Sequence, residues 1–363
     1  MRPEFLAWGK DASAELSSDL LEAEVVLQLG DDKRATALYE AARANADSTA
    51  ALARAQLGLG RLAFRRGQIE ESITWLEEAL ACEELPAGDA STAAIALGRC
   101  YVSQSRFDEA FGLFERFLAE ARERDDAFDR IRFALLLANA YVDHGDYARA
   151  HSALGEVLDL ARTTADPMLR ASLYWSQSRA YLSQGATDRA AEHAELALAT
   201  LRASEQTLEA ARVLQLLAFI ENDRGNPEVA LELVHEGEPI LAAAGETTDA
   251  AMFTLERARA LSALGETDEA AGLLLGVVPR LGAAAPRDAS RAYCAAADIF
   301  RKQGDVARAL ELYELAAQQA PVPNRHVAAA FTSMAEIYEE RGETQKALEL
   351  LKQALAARAG APA

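Results

Sequence analysis

Several residue types are scarce in this chain of 363 residues, and each scarcity excludes a class of chemistry. Cysteine occurs three times, at Cys82, Cys100 and Cys294. An odd number without a CxxC spacing excludes a disulfide framework or a cysteine zinc site and fits a reducing compartment. Histidine occurs five times, at His144, His151, His193, His235 and His326, without an HExxH spacing, so no metal ligands are expected. No glycine-rich loop follows a strand-like run, and acidic pairs such as Glu77-Glu78 and Asp125-Asp126 read as solvated helix faces. No catalytic residue and no cofactor is expected, and the chain is not read as an enzyme. Apolar runs fall short of the roughly 18–20 residues a membrane span requires. The start, MRPEFLAWGKDASAELSSD, lacks the apolar core of a signal peptide. The cytoplasm is therefore the expected compartment, with no membrane partner. Basic residues are outnumbered, 37 Lys and Arg against 57 Asp and Glu, for a formal charge of −20. Counterion release needs a basic surface, so no direct nucleic-acid contact is expected of this chain.

Aromatic residues make up only 7% of the sequence, whereas half of it is apolar, mostly Ala and Leu. Both are strong helix formers, and small side chains suit close packing of helix on helix. One globular core rarely grows to this length, which leaves several domains or an array of repeats.

Repetition decides between them. The stretch LLANAYVDHGDYARAHSALGEVL, Leu136 to Leu158, carries one apolar helical stripe into a Gly145-Asp146 turn and a second stripe out of it. Turn residues of the same kind recur at Gly30, Gly67, Ser105, Gly145, Gly185, Gly225, Gly265, Gly304 and Gly342, spaced 37 to 40 apart. Five positions after each comes a small residue: Ala35, Ser72, Ala110, Ala150, Ala190, Ala230, Ala270, Ala309 and Ala347. A small side chain there lets two helices approach, and forcing in a Leu should cost about 1–3 kcal/mol through overpacking. Glycine at the turn allows a helix to end with positive φ. The alternative, a non-repeating bundle, gives no reason for two columns to stay in step nine times.

These columns resemble the tetratricopeptide repeat (TPR). Gly60 after Leu59, Gly98 after Leu97 and Ala138 after Leu137 match its small residue, and Tyr101, Tyr141, Tyr181, Phe300 and Tyr338 its aromatic. The departures are a period near 40 residues instead of 34 and few closing prolines. The resemblance covers residues 16–356 and implies an all-α, right-handed TPR α-solenoid of about nine helix-turn-helix repeats. Residues 1–15 are expected to be a leader and 357–363 (ARAGAPA) a disordered tail. Gly237 with Pro239, and Gly276 to Pro279, predict a kink or early stop in two second helices. Phrases such as LLEAEVVLQLGDDKRATALYEAA and DPMLRASLYWSQSRAYLSQG are also similar to the sensor region of actinobacterial XRE-type helix-turn-helix regulators. In that family a DNA-binding domain precedes the repeats, and RPEFLAWG resembles the end of one.

The TPR resemblance implies that positions two, five, nine and twelve of each first helix line a concave groove. Positions two and nine of units two to seven are Arg54, Arg61, Thr92, Arg99, Arg132, Asn139, Ser172, Arg179, Arg212, Phe219, Met252 and Arg259. Seven of these twelve are Arg and none is acidic. Positions five and twelve add Trp175, Gln215 and Asn222 among apolar residues such as Leu57 and Leu135. The expected ligand is a peptide or protein segment with acidic groups or a free carboxylate, held by Arg forks and amides. A second reading has the Arg side chains merely neutralising acids on neighbouring helices. Another Arg column, Arg34, Arg149, Arg189 and Arg308, is expected to face outward, so enrichment alone decides nothing. The absence of acids from the twelve positions favours binding. An assembly scaffold acting through convex or end surfaces, with a homodimer as its partner, is the alternative function; the last helix shows an apolar stripe, Leu348, Leu351 and Leu355, part of which must pack inward.

Overall fold

The computed structural model describes residues 18–245, 247–282, 285–319 and 325–360. Among them are eighteen α-helices and no strand. They follow in nine successive pairs: α1 (Ser18–Gln28) with α2 (Asp32–Ala44), α3 (Thr49–Arg65) with α4 (Ile69–Leu80), α5 (Ala87–Ser103) with α6 (Phe107–Glu123), α7 (Ala127–His144) with α8 (Tyr147–Thr163), α9 (Pro167–Ser183) with α10 (Thr187–Ala203), α11 (Thr207–Arg224) with α12 (Pro227–Ala243), α13 (Thr247–Ala263) with α14 (Thr267–Leu281), α15 (Pro286–Lys302) with α16 (Val306–Gln319), and α17 (Arg325–Glu340) with α18 (Thr344–Gly360). The starts follow local chemistry. Asp31 caps α2 by accepting from the Arg34 amide at 3.1 Å, and Asp166 caps α9 from the Met168 amide at 2.8 Å. Pro167 and Pro286 sit in the first turn of their helices, where no amide donor is missed.

Both columns read from the sequence hold. All nine turn residues have positive φ, from 58° at Ser105 to 93° at Gly265. The small column is buried throughout, and Ala35 to Ala309 have no exposed surface. Contact is tightest at Gly58 and Gly98, where a Cβ would lie 2.2 Å from the Tyr39 and Phe114 rings respectively.

The described residues divide into two compact units, and the division runs through α7 and α8. One unit holds the described residues up to Ala140 together with Ser152–Leu160; the other holds Tyr141–His151 and the described residues from Ala161 on. In the first, Leu20, Val26 and Leu27 of α1 pack with Tyr39 of α2 and Leu59 and Leu62 of α3. In the second, one core cluster joins α9 to α13 around Trp175, Leu214 and Phe253, and another joins α13 to α18 around Leu274, Tyr313 and Ile337.

Three expectations differ from what is found. α12 runs through Gly237 and Pro239 to Ala243, and α14 through Pro279 to Leu281, so neither helix stops early. Gly237 is not a breaker but a seat: the Phe253 ring of α13 lies 2.3 Å from where its Cβ would be. The tail does not begin at Ala357, because α18 continues to Gly360 and Ala357 is buried beside Val327 and Ala328. The leader 1–15, the Pro321 to Asn324 link and residues 361–363 lie outside the described residues.

Candidate functional site

The expected site residues sit on first helices of both units, and the structure gives most of their guanidinium groups a carboxylate. In the N-terminal unit Arg54 Nε lies 2.7 Å from Asp89 Oδ2, and Arg61 Nη1 lies 2.7 Å from Glu24 Oε2. Arg132, buried, bonds Asp129 at 3.1 Å and lies 5.0 Å over the Phe128 ring. Ser91 donates to the other oxygen of Asp129 at 2.5 Å. Arg99 lies 5.0 Å over the Phe64 ring, and Asn139 is buried.

In the C-terminal unit Arg179 meets Asp143 at 2.7 Å and covers the Trp175 ring at 5.0 Å. Arg212 Nε meets Asp249 at 3.0 Å. Around Phe219 the polar groups are densest. Arg259 and Arg291 flank its ring, at 5.0 and 4.9 Å, and both bond Glu256, at 2.8 and 2.9 Å. Glu256 is wholly buried and also accepts from Asn222 Nδ2 at 3.1 Å, while Arg259 reaches Asp223 at 2.6 Å.

Two ladders emerge within the units. From position two, Arg54 and Arg212 reach forward to Asp89 and Asp249, each three residues before position two of the next first helix. From position nine, Arg179 and Arg259 reach back to Asp143 and Asp223, each four residues beyond position nine of the preceding one. The expectation of an acid-free basic wall is therefore corrected: six of the seven Arg are bound to carboxylates. Those acids were legible in the sequence. Asp89, Asp129, Glu209, Asp249 and Asp288 stand in the first turns of α5, α7, α11, α13 and α15, where an anion also suits the helix N-terminus. They fell outside the four positions counted, although spacings of three and four put them on the same helix face. Sequence reasoning also missed Glu256 and Arg291, which complete the Phe219 cluster. Of the outward column, Arg34, Arg149 and Arg189 are exposed and Arg308 is half-buried.

Charge matching has a local electrostatic consequence. Desolvation lowers the pKa of Arg132 despite Asp129 beside it. Burial also lowers that of Arg259, but Glu256 and Asp223 outweigh it and leave the value raised. Several buried polar atoms on the first helices lack a hydrogen-bond partner among the described residues, Arg132 Nε, Gln177 Oε1 and Arg291 Nε among them. Gln215 Nε2 in α11 and Ser172 Oγ in α9 are both nearly inaccessible and have no hydrogen-bond partner among the described residues. Trp175, between them in repeat order, is buried as well. Among the described residues no three His, Cys, Asp or Glu side chains are placed to share a metal ion, and no helix is long and apolar enough to cross a membrane.

Family models described as tetratricopeptide repeat match residues 20–88, 93–128, 135–206, 251–275 and 288–359. No curated protein matches the chain in sequence. Among solved structures, the apo quorum sensor NprR from B. thuringiensis is similar over 83% of this chain and 86% of its own, with a TM-score of 0.65 and 16% identity. The apo form of RapI is similar over 83% and 84%, with a TM-score of 0.58 and 20% identity. A Rap conjugation gene regulator of the plasmid pLS20, solved with the Phr* peptide, is similar over 95% and 86%, with a TM-score of 0.58 and 14% identity. At these identities the similarity speaks for the fold.

Proposed function

This chain belongs to the tetratricopeptide repeat proteins, and on that footing we propose that it binds a peptide or extended protein segment along its first-helix face, without catalysing a reaction. The observation that carries the reading is the pair of buried, unsatisfied groups, Gln215 Nε2 and Ser172 Oγ. A buried polar atom left unpaired costs about 1–3 kcal/mol. The main chain of an extended segment offers a carbonyl to the Gln215 amide and either partner to the Ser172 hydroxyl. Trp175 and Phe219 supply flat apolar surface beside them.

The ladders change how the arginines take part. A ligand carboxylate reaches Arg212 or Arg179 only by replacing Asp249 or Asp143, so its gain is the difference between two similar ion pairs. Preference for acidic ligands is accordingly modest, and the amides contribute more to recognition than the charges do. Because Trp175, Gln215 and Arg212 are closed off from solvent, binding requires the neighbouring side chains to move and favours whichever conformation has opened.

The fold similarity to NprR and the plasmid regulator, together with the N-terminal phrases, supports a cytoplasmic sensor within a helix-turn-helix transcription regulator. The reading frame encoded upstream of Met1 tests that role, since a helix-turn-helix domain is expected there.

For the binding face, a degenerate heptapeptide library is screened by thermal shift, and hits are titrated by calorimetry. Gln215→Leu should bind hits at least tenfold more weakly, a difference of about 1.4 kcal/mol. Its own stability should rise by about 1 kcal/mol, since an unsatisfied amide is removed. Hits that bind Gln215→Leu and wild type alike would remove this face from consideration.

A further inference from the structure

Within each unit every repeat junction for which contacts are described is made the same way, by a second helix laid on the next first helix. α2 packs on α3, α4 on α5, α10 on α11, α12 on α13, α14 on α15 and α16 on α17. In α10 and α14 the side chains one, four and eight positions past the small column are buried and apolar. They are Ala191, Ala194 and Leu198 in α10 and Ala271, Leu274 and Val278 in α14, all buried. On the first-helix side, the residues nine and five positions before the turn take the contact, Leu216 and Ile220 in α11, again buried.

Among the described residues both terminal helices present these columns uncovered. In α18 the three positions are Leu348, Leu351 and Leu355, which are 54%, 41% and 65% exposed. In α1 the two positions are Leu21 and Val25, 51% and 49% exposed, with Leu29 beyond them at 79%. A repeat array ordinarily closes its ends with polar residues; here both ends keep the side chains of an interior junction. The charges left over are of opposite sign. In α1 Glu22 is paired with Arg34 and Glu24 with Arg61, which leaves Asp19 and no basic residue on the helix, whereas α18 holds Lys346 and Lys352 against Glu349.

We propose that the α18 face of one copy docks on the α1 face of a second copy, head to tail, and so repeats between molecules the junction found within each. Pairing α18 with α18 would bring its excess positive charge, Lys346 and Lys352, against itself. A head-to-tail contact uses two different surfaces, so each copy keeps one free end, and assembly proceeds past the dimer unless a ring closes. The contact rests on a few apolar side chains from each copy, so the association is weak and concentration-dependent. It is independent of the peptide-binding reading, because neither end helix carries Gln215 or Ser172.

Sedimentation equilibrium on the full chain tests this with two variants, Leu351→Glu/Leu355→Glu at α18 and Leu21→Glu/Val25→Glu at α1. The substituted side chains are exposed, and unchanged thermal unfolding confirms that both variants fold. The wild-type average mass should climb with concentration beyond two copies. Each variant alone should stay monomeric, and an equimolar mixture should form a one-to-one dimer and stop there. Three results would overturn the proposal. A wild type that stays monomeric leaves the chain's own residues 1–17 or another protein as the cover. A variant that still self-associates points to a face meeting its own copy. A mixture that stays monomeric while the wild type assembles puts the contact elsewhere.

Discussion

At Glu24 two opposing effects meet on one carboxylate. Burial raises its pKa, but the charge of Arg61 and hydrogen bonds from Arg61, Tyr39 and Gln28 outweigh burial and leave it below the ordinary value. Arg61 and Tyr39 both donate to Oε2, at 2.7 and 2.8 Å. A folded-state pKa below the unfolded value, about 4.3, means the group stabilises the fold above that pH and stops doing so as pH falls through the folded value. Urea unfolding should show Glu24→Gln clearly less stable than wild type at pH 7, with the gap closing towards pH 3. An equal gap at both would assign the loss to packing instead. Glycines give a second residue-scale test, because the same change should have opposite signs at two sites. Gly98→Ala drives a methyl into Phe114, 2.2 Å away, and should lose about 1–3 kcal/mol. Gly112→Ala in α6 meets nothing within 4 Å and should gain about 0.5–1 kcal/mol from reduced chain entropy. Chemical denaturation reads both, and matching signs would contradict the close approach of α5 and α6.

At the scale of an element, α12 is the instructive helix. Its sequence, PEVALELVHEGEPILAA, contains a glycine and a proline two residues apart, which locally favours a break. The helix continues because packing across the hairpin outweighs local preference: Phe253 of α13 occupies the space that Gly237 leaves open, and Val234 and Leu241 are buried on the same side. The two breakers therefore do different things. Pro239 is exposed and lacks only a hydrogen bond, so Pro239→Ala should raise stability by up to about 3 kcal/mol. Gly237→Ala should lower it, because the added methyl collides with a ring. If Pro239→Ala destabilised the protein, the proline would be holding a bend that α12 needs. The turns and the small column were legible, since each is a single residue type with a single steric cause. The fate of the two breakers was not, because a neighbouring helix decides it.

For the whole molecule the governing quantity is the charge of −20. Its self-repulsion weakens the folded state at low salt, and salt screens it. Exposed pairs such as Arg122 with Glu156 contribute only about 0–1 kcal/mol each, and the half-buried ladders are screened less than surface charges. The thermal midpoint should therefore rise between about 10 and about 150 mM salt, over which the Debye length falls from about 30 to about 8 Å. A fall over that range, measured by calorimetry, would show that the ion pairs outweigh the repulsion.

Residue type and spacing alone determined that this chain is a tetratricopeptide array of nine helical hairpins, with a turn and a small residue in step. Those features depend on φ and on side-chain volume, which each residue carries with it. Only the tertiary structure decided what the arginines do. Whether Arg54, Arg179 or Arg212 faces a ligand or a neighbour depends on Asp89, Asp143 and Asp249, which stand 35 to 37 residues away in sequence and at most 3.0 Å away in space. Folding is what brings those charges together, and the pairing it makes leaves Gln215 Nε2 and Ser172 Oγ among the buried polar atoms on the first helices that still lack a partner.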